Sequence, residues 1–116
     1  MGNQSTINYI VQSVKDDALR IFEKKLLKII LFGSYARGDF CSDSDVDIML
    51  LIDDSPEGIN KYFDEVIKLS SRLSLENEDC TTVTLLMQDK DTFNNNVAIS
   101  PFFRNISDEG IIVYAA

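Results

Sequence analysis

Residues 33–48 read GSYARGDFCSDSDVDI, a stretch that sets two glycines, three serines, one arginine and four aspartates directly against a hydrophobic run. The segment 45–53, DVDIMLLID, reads as a β-strand. Side chains of a strand alternate faces, so Asp45 and Asp47 share one face while Val46 and Ile48 point the other way. Their α-carbons then stand about 6.5–7 Å apart, near enough for two carboxylates to converge on one cation. Left alone, two such anions repel; a divalent cation relieves that repulsion, and an all-oxygen donor set favours Mg²⁺ or Mn²⁺ over softer metals. Gly33 and Ser34 follow the apolar run KIILF, residues 28–32, where the chain must turn. Glycine admits a phosphate close to the backbone, and the Ser34 hydroxyl and the turn's amides can donate to it. Arg37 adds a fork of donors for the oxygens of such a phosphate group, and Gly38 ends the short helical turn. Taken singly, these pieces also fit a solvated loop at Asp43, Asp45 and Asp47 beside an ordinary Gly-Ser turn. Their combination, with ten residues between Ser34 and Asp45 and a strand on each side, carries the functional reading.

Composition narrows the chemistry. At 116 residues and 45% apolar content, the chain has room for one core, and a single domain over 1–116 is expected. Eleven Lys and Arg against nineteen Asp and Glu give a net charge of −8, which opposes attraction to nucleic-acid phosphates, so no direct nucleic-acid binding is expected. The absence of histidine removes His-based general bases, Ser-His and Cys-His pairs and ordinary catalytic zinc sites. Carboxylates must carry any chemistry. Cys41 and Cys80 have no metal-ligand spacing and read as free thiols. No apolar run is long enough to cross a bilayer and no secretory leader is seen, so a cytoplasmic protein without membrane contact is expected. The opening MGNQST also matches an N-myristoylation pattern at Gly2, a match short enough to arise by chance.

The organisation of the chain follows from periodicity. Ile7, Ile10, Val11, Val14, Ala18 and Ile21 fall at helical spacing and predict an amphipathic helix over about 5–25. SPEG offers Ser55 as N-cap and Pro56 as first helical residue, and Ile59, Tyr62, Phe63, Val66, Ile67 and Leu73 continue that helix. TTVTLLM, residues 81–87, predicts a third strand; SPFFRNISDEG repeats the cap-then-proline signal, with Gly110 closing the helix before a final strand, IIVY. The expected class is α/β (α+β), a small mixed sheet with packed helices. Only thirteen residues separate Phe32 from Val46, too few to assume a parallel crossover between the first two strands.

GS, ten residues, then DxD resembles the signature of the DNA polymerase β-like nucleotidyltransferase superfamily. The wording GSYARGDFCSDSDVDIMLLI is similar to the minimal nucleotidyltransferases, the MNT group of prokaryotes, and PFFRNISDEGIIVY has the style of their closing helix and strand. The resemblance spans about residues 28–116. It implies the polymerase β-like fold and Mg²⁺-dependent transfer of a nucleoside monophosphate, usually AMP from ATP, to a hydroxyl. Asp45 and Asp47 would carry the metals as catalytic carboxylates; Gly33 and Ser34 would hold the β,γ-phosphates, and Arg37 would offset their charge. It further implies an antitoxin that neutralises a helical HEPN toxin by binding it and adenylylating a tyrosine.

One position departs from the superfamily pattern. A third carboxylate normally comes from the next strand, and by register it falls at Thr84, which cannot act as a base. Glu78 and Asp79 lie a few residues earlier and reach the site only if the strand begins differently. An active enzyme and a catalytically weak nucleotide-binding antitoxin or interaction module therefore both remain open. An antibiotic or other small-molecule nucleotidyltransferase is less favoured, because the chain has no room for the helical domain that usually forms an acceptor pocket.

Overall fold

A computed structural model describes residues 4–38, 45–77 and 81–116. Two apolar strands form its centre, β1 (Leu26–Phe32) and β2 (Val46–Ile52). They pair antiparallel, with Ile30 opposite Met49 and Phe32 opposite Asp47. The short connection between them, which contains the one-turn helix α2 (Ser34–Arg37), suits that sense of pairing. β3 (Val83–Asp89) then lies parallel to β2, and β4 (Ile111–Ala115) lies antiparallel to β1, giving the order β3-β2-β1-β4.

Helices cover both faces, which is why β2 reads as a continuous apolar run rather than an alternating one. On one face Ile29, Leu31, Val46, Ile48, Leu50 and Ile52 pack against α1 (Gln4–Phe22) and α4 (Phe63–Glu76). Ile10, Val14 and Ala18 supply the α1 stripe, and Val66, Leu69 and Leu73 that of α4. On the other face Ile30, Met49 and Leu51 meet Phe93 of α5 (Lys90–Asn96) and Ile106 of α6 (Pro101–Glu109). Burying each large aliphatic side chain contributes about 1.5–3 kcal/mol, so the buried apolar residues of β2 anchor the strand's two ends.

The stretch from Pro56 to Leu73, expected as one helix, is divided. α3 (Pro56–Ile59) starts as expected at the Ser55 cap, whose Oγ accepts from the Gly58 amide, but a 3-10 turn at Asn60–Tyr62 separates it from α4. Gly58 and Asn60 are weak helix formers, and the Tyr62 ring is held 4.7 Å from that of Phe22. A second 3-10 turn, Glu23–Lys25, ends the first predicted helix at Phe22. The third strand runs two residues later than TTVTLLM, because Asp89 closes it by capping α5 through the Thr92 amide. Gly110 closes α6 as expected, but with φ −68, so its role is space rather than a left-handed turn. A β-carbon there would run into the Ile106 carbonyl and the Ile30 side chain.

Candidate active site

The C-terminal end of β1 and the N-terminal end of β2 meet at one end of the sheet, in its centre. Phe32 pairs with Asp47, and Asp47 pairs with Thr84, so the three form a row across β1, β2 and β3. Antiparallel and parallel partners in register share a face, here the face that also carries Met49 and Leu51. Val46 and Ile48 point into the opposite core, as the alternation requires. Asp45 immediately precedes β2 and is exposed, whereas Asp47 is partly buried.

The turn after β1 is shaped around Asp47. Gly33 has φ 80 and ψ −157, a conformation open to glycine almost alone. A β-carbon on Gly33 would stand 2.5 Å from Asp47 Oδ2. The backbone can therefore pass this close to the carboxylate only at glycine. The Gly33 carbonyl accepts from the amides of Ala36 and Arg37, which winds α2 and puts Ser34 at its head. Gly38, at φ 84, ends α2 in the left-handed region, as the sequence predicts.

Electrostatics pull on Asp47 from three sides. Burial pushes its pKa above the ordinary value of 3.8, the negative charge of Asp45 pushes it further, and Arg37 draws it back. Two neighbouring carboxylates, one partly desolvated, form an oxygen donor set whose repulsion a divalent cation would cancel, so the residues fit Mg²⁺ or Mn²⁺. Among the described residues no third Asp, Glu, Cys or His joins them to complete a cluster. Thr84 occupies the position opposite Asp47, where the register had placed the missing acid. Asp43, Glu78 and Asp79, the two cysteines and Gly2 lie outside the described residues.

Four of the five predicted site residues, Gly33, Ser34, Arg37 and Asp47, line one pocket of about 380 Å³. Asp45 is not part of the lining and acts on it through its charge on Asp47. The opposite wall was not assigned from sequence: it is α6, which contributes Phe102, Asn105, Ile106 and Glu109. Its sequence signal is faint, a helical face carrying one aromatic and two polar residues, and only the folding of α6 over β1 brings it to the site.

A mixed sheet that sets Asp47 against a glycine-serine turn, with the charge of Asp45 bearing on it, fits the nucleotidyltransferase class. Residues 17–116 match the family described as Polymerase beta, Nucleotidyltransferase, and the chain belongs to that family. A relative from Methanocaldococcus jannaschii, named as a "putative protein adenylyltransferase", is 32% identical over 114 residues, covering 98% of this chain and 100% of its own. Among solved structures, a toxin-antitoxin complex with AMP-PNP superimposes with a TM-score of 0.56 at 21% identity, over 91% of this chain and 73% of the other. The MntA-HpeT toxin-antitoxin complex superimposes with a TM-score of 0.53 at 19% identity, over 94% and 72% of the two chains. That structure is a mutant with two aspartates, two positions apart, changed to glutamate. These superpositions establish the fold, which is the mixed α/β architecture expected from the sequence.

Proposed function

We propose that this nucleotidyltransferase is a Mg²⁺-dependent adenylyltransferase that moves AMP from ATP to a hydroxyl of a partner protein. It acts as the antitoxin of a pair whose toxin is a helical HEPN-type protein, modified on tyrosine. The observation that carries the proposal is the pocket shared by Gly33, Ser34, Arg37 and Asp47, with Asp45 bearing on Asp47. In it Gly33 and Ser34 hold the β,γ-phosphates, the Arg37 guanidinium offsets their charge, and Asp45 and Asp47 hold the metal. Bound there, Mg²⁺ (or Mn²⁺) would supply charge neutralisation at the reacting phosphate and the leaving pyrophosphate. The acceptor oxygen bonds to the α-phosphorus as the bond from that phosphorus to the α,β-bridging oxygen breaks; pyrophosphate leaves and the hydroxyl proton passes to solvent. The protein's part is positioning and fixed charge. The similarity to a relative named for protein adenylyl transfer and to toxin-antitoxin structures supports this choice of donor and partner.

Incubation with labelled ATP, Mg²⁺ and the product of the neighbouring gene tests the proposal. The partner should co-elute with this protein and gain the mass of AMP, and the double Asp→Asn variant at 45 and 47 should transfer none. A neighbour that neither binds nor gains AMP would remove the antitoxin assignment. Thr84 opposite Asp47 favours a second reading, a nucleotide-binding antitoxin with weak catalysis. In that case the partner is bound and neutralised without appreciable label.

A further inference from the structure

α6 gives the pocket a wall for which phosphate and metal binding have no use. Phe102, Asn105 and Glu109 fall at helical positions i, i+3 and i+7, so they share one face, and all three line the pocket opposite the Gly33–Arg37 turn. The helix is firmly seated. Ile106 is buried between them, Pro101 opens the first turn, and Ser100 Oγ accepts from the Phe103 amide. Phe102 is nonetheless 50% exposed. Its ring is held by two others, edge-on to Phe32 with centroids 5.9 Å apart and 5.7 Å from Phe103. An aromatic ring fixed in place yet left half in water is a platform for another flat apolar surface.

The two elements that line the pocket differ in charge. The turn carries Arg37, whereas α6 carries Glu109, whose carboxylate repels phosphate oxygens. A ligand with a polyanionic end and a neutral, planar end can therefore lie in one sense only. We propose, building on the nucleotide reading above, that α6 is the nucleoside subsite. The Phe102 ring stacks on the base, the Glu109 carboxylate accepts from the sugar hydroxyls, and the Asn105 amide both donates to and accepts from the nucleoside edge. α6 thus distinguishes a nucleoside triphosphate from a bare triphosphate.

The test compares Mg·ATP with Mg·tripolyphosphate on the full chain, by calorimetry and thermal shift, for wild type, Phe102→Ala, Phe102→Tyr and Asn105→Ala. The wild type should bind ATP more tightly than tripolyphosphate. Phe102→Ala should weaken ATP about 5- to 150-fold, the range of base–aromatic stacking, and leave tripolyphosphate within about twofold. Phe102→Tyr should retain ATP, and Asn105→Ala should lose affinity for ATP alone. Unchanged ATP affinity in both alanine variants, or a parallel loss of both probes, would overturn the subsite. If the wild type binds tripolyphosphate but gains nothing from the nucleoside, the subsite falls and the phosphate site stands. If it binds neither probe, the nucleotide reading itself falls, and the subsite with it.

Discussion

Gly33 meets two demands at once, a backbone conformation closed to other residues and a carboxylate too near for any β-carbon. Gly33→Ala should cost about 1–3 kcal/mol for the backbone alone and displace Asp47 as well, so a lower melting temperature should accompany lost nucleotide binding. Gly38 separates the two causes. It is also left-handed, but a β-carbon there meets nothing within 4 Å, so Gly38→Ala should cost about 1–2 kcal/mol and no more. Asp47→Asn should act in the opposite direction. Removing one of two neighbouring anions from the empty site relieves repulsion and desolvation, which should raise the metal-free melting temperature by about 2–5 °C. A carboxyl with a raised pKa favours folding only when protonated. The variant's advantage should therefore be full at neutral pH and vanish as pH falls through that raised pKa towards 3.8.

At the level of elements, α4 does more than cover the sheet. Ser74 Oγ accepts from the Val83 amide and the Ser70 hydroxyl donates to the Val83 carbonyl, so two helix serines satisfy the outer edge of β3 where it begins. Asn77 then clamps the return of the chain, donating to the carbonyls of Leu73 and Thr81 and accepting from the Thr81 amide. Asn77→Ala leaves those buried groups unpaired and should cost about 1–3 kcal/mol in denaturant melts. These contacts set the β3 register and so place Thr84 beside Asp47. Thr84→Asp should accordingly tighten Mg²⁺ binding and speed AMP transfer to a docked partner, by up to the ~10²–10⁴ typical of general-base assistance. It should also lower metal-free stability by adding a third anion. If Asp79→Asn abolishes transfer and Thr84→Asp changes nothing, the third acid is Asp79. Elsewhere Lys25 Nζ meets Asp54 Oδ2 at 2.8 Å, tying the entry of β1 to the exit of β2. The hydrogen bond to Lys25 holds the Asp54 carboxyl below 3.8, and the Ser55 amide adds to it, while Asp54 raises Lys25 above 10.5. The stability that Asp54→Asn removes should thus be constant near neutrality. It should disappear as pH falls below 3.8 through the lowered pKa of Asp54, and again as pH climbs past 10.5 through that of Lys25.

For the whole molecule, a ligand that binds only the folded chain stabilises it by mass action. ATP with Mg²⁺ at about 100 times its dissociation constant should add about 2.7 kcal/mol, read as a rise in melting temperature. ATP with EDTA should give much less, since two carboxylates without a cation repel the triphosphate. Equal nucleotide-dependent shifts for wild type and the double Asn variant at Asp45 and Asp47 would rule out the proposed metal site. The net charge of −8 gives the surface no general attraction for polyanions, so the proposal expects nucleotide-dependent stabilisation to be lost when Arg37 is replaced.

Local chemistry made most of this legible in one dimension. Period-two and period-3.6 patterns, the Ser55 and Ser100 caps and their following prolines, and the apolar run of β2 declared the elements, because each depends on neighbours a few residues away. The two carboxylates and the Gly33-Ser34 turn were equally visible, being close in sequence. What the tertiary structure alone decided involves residues distant along the chain. The break at Asn60–Tyr62 depends on the docking of Tyr62 against Phe22, and the demand for glycine at position 33 depends on the nearness of Asp47 across the β1–β2 pair. The α6 wall of the pocket exists only because β4 returns antiparallel beside β1 and lays Phe102, Asn105 and Glu109 over the site. No periodicity within a nine-residue helix encodes what faces it; that is set by the order β3-β2-β1-β4, which the packing of both faces of the sheet selects.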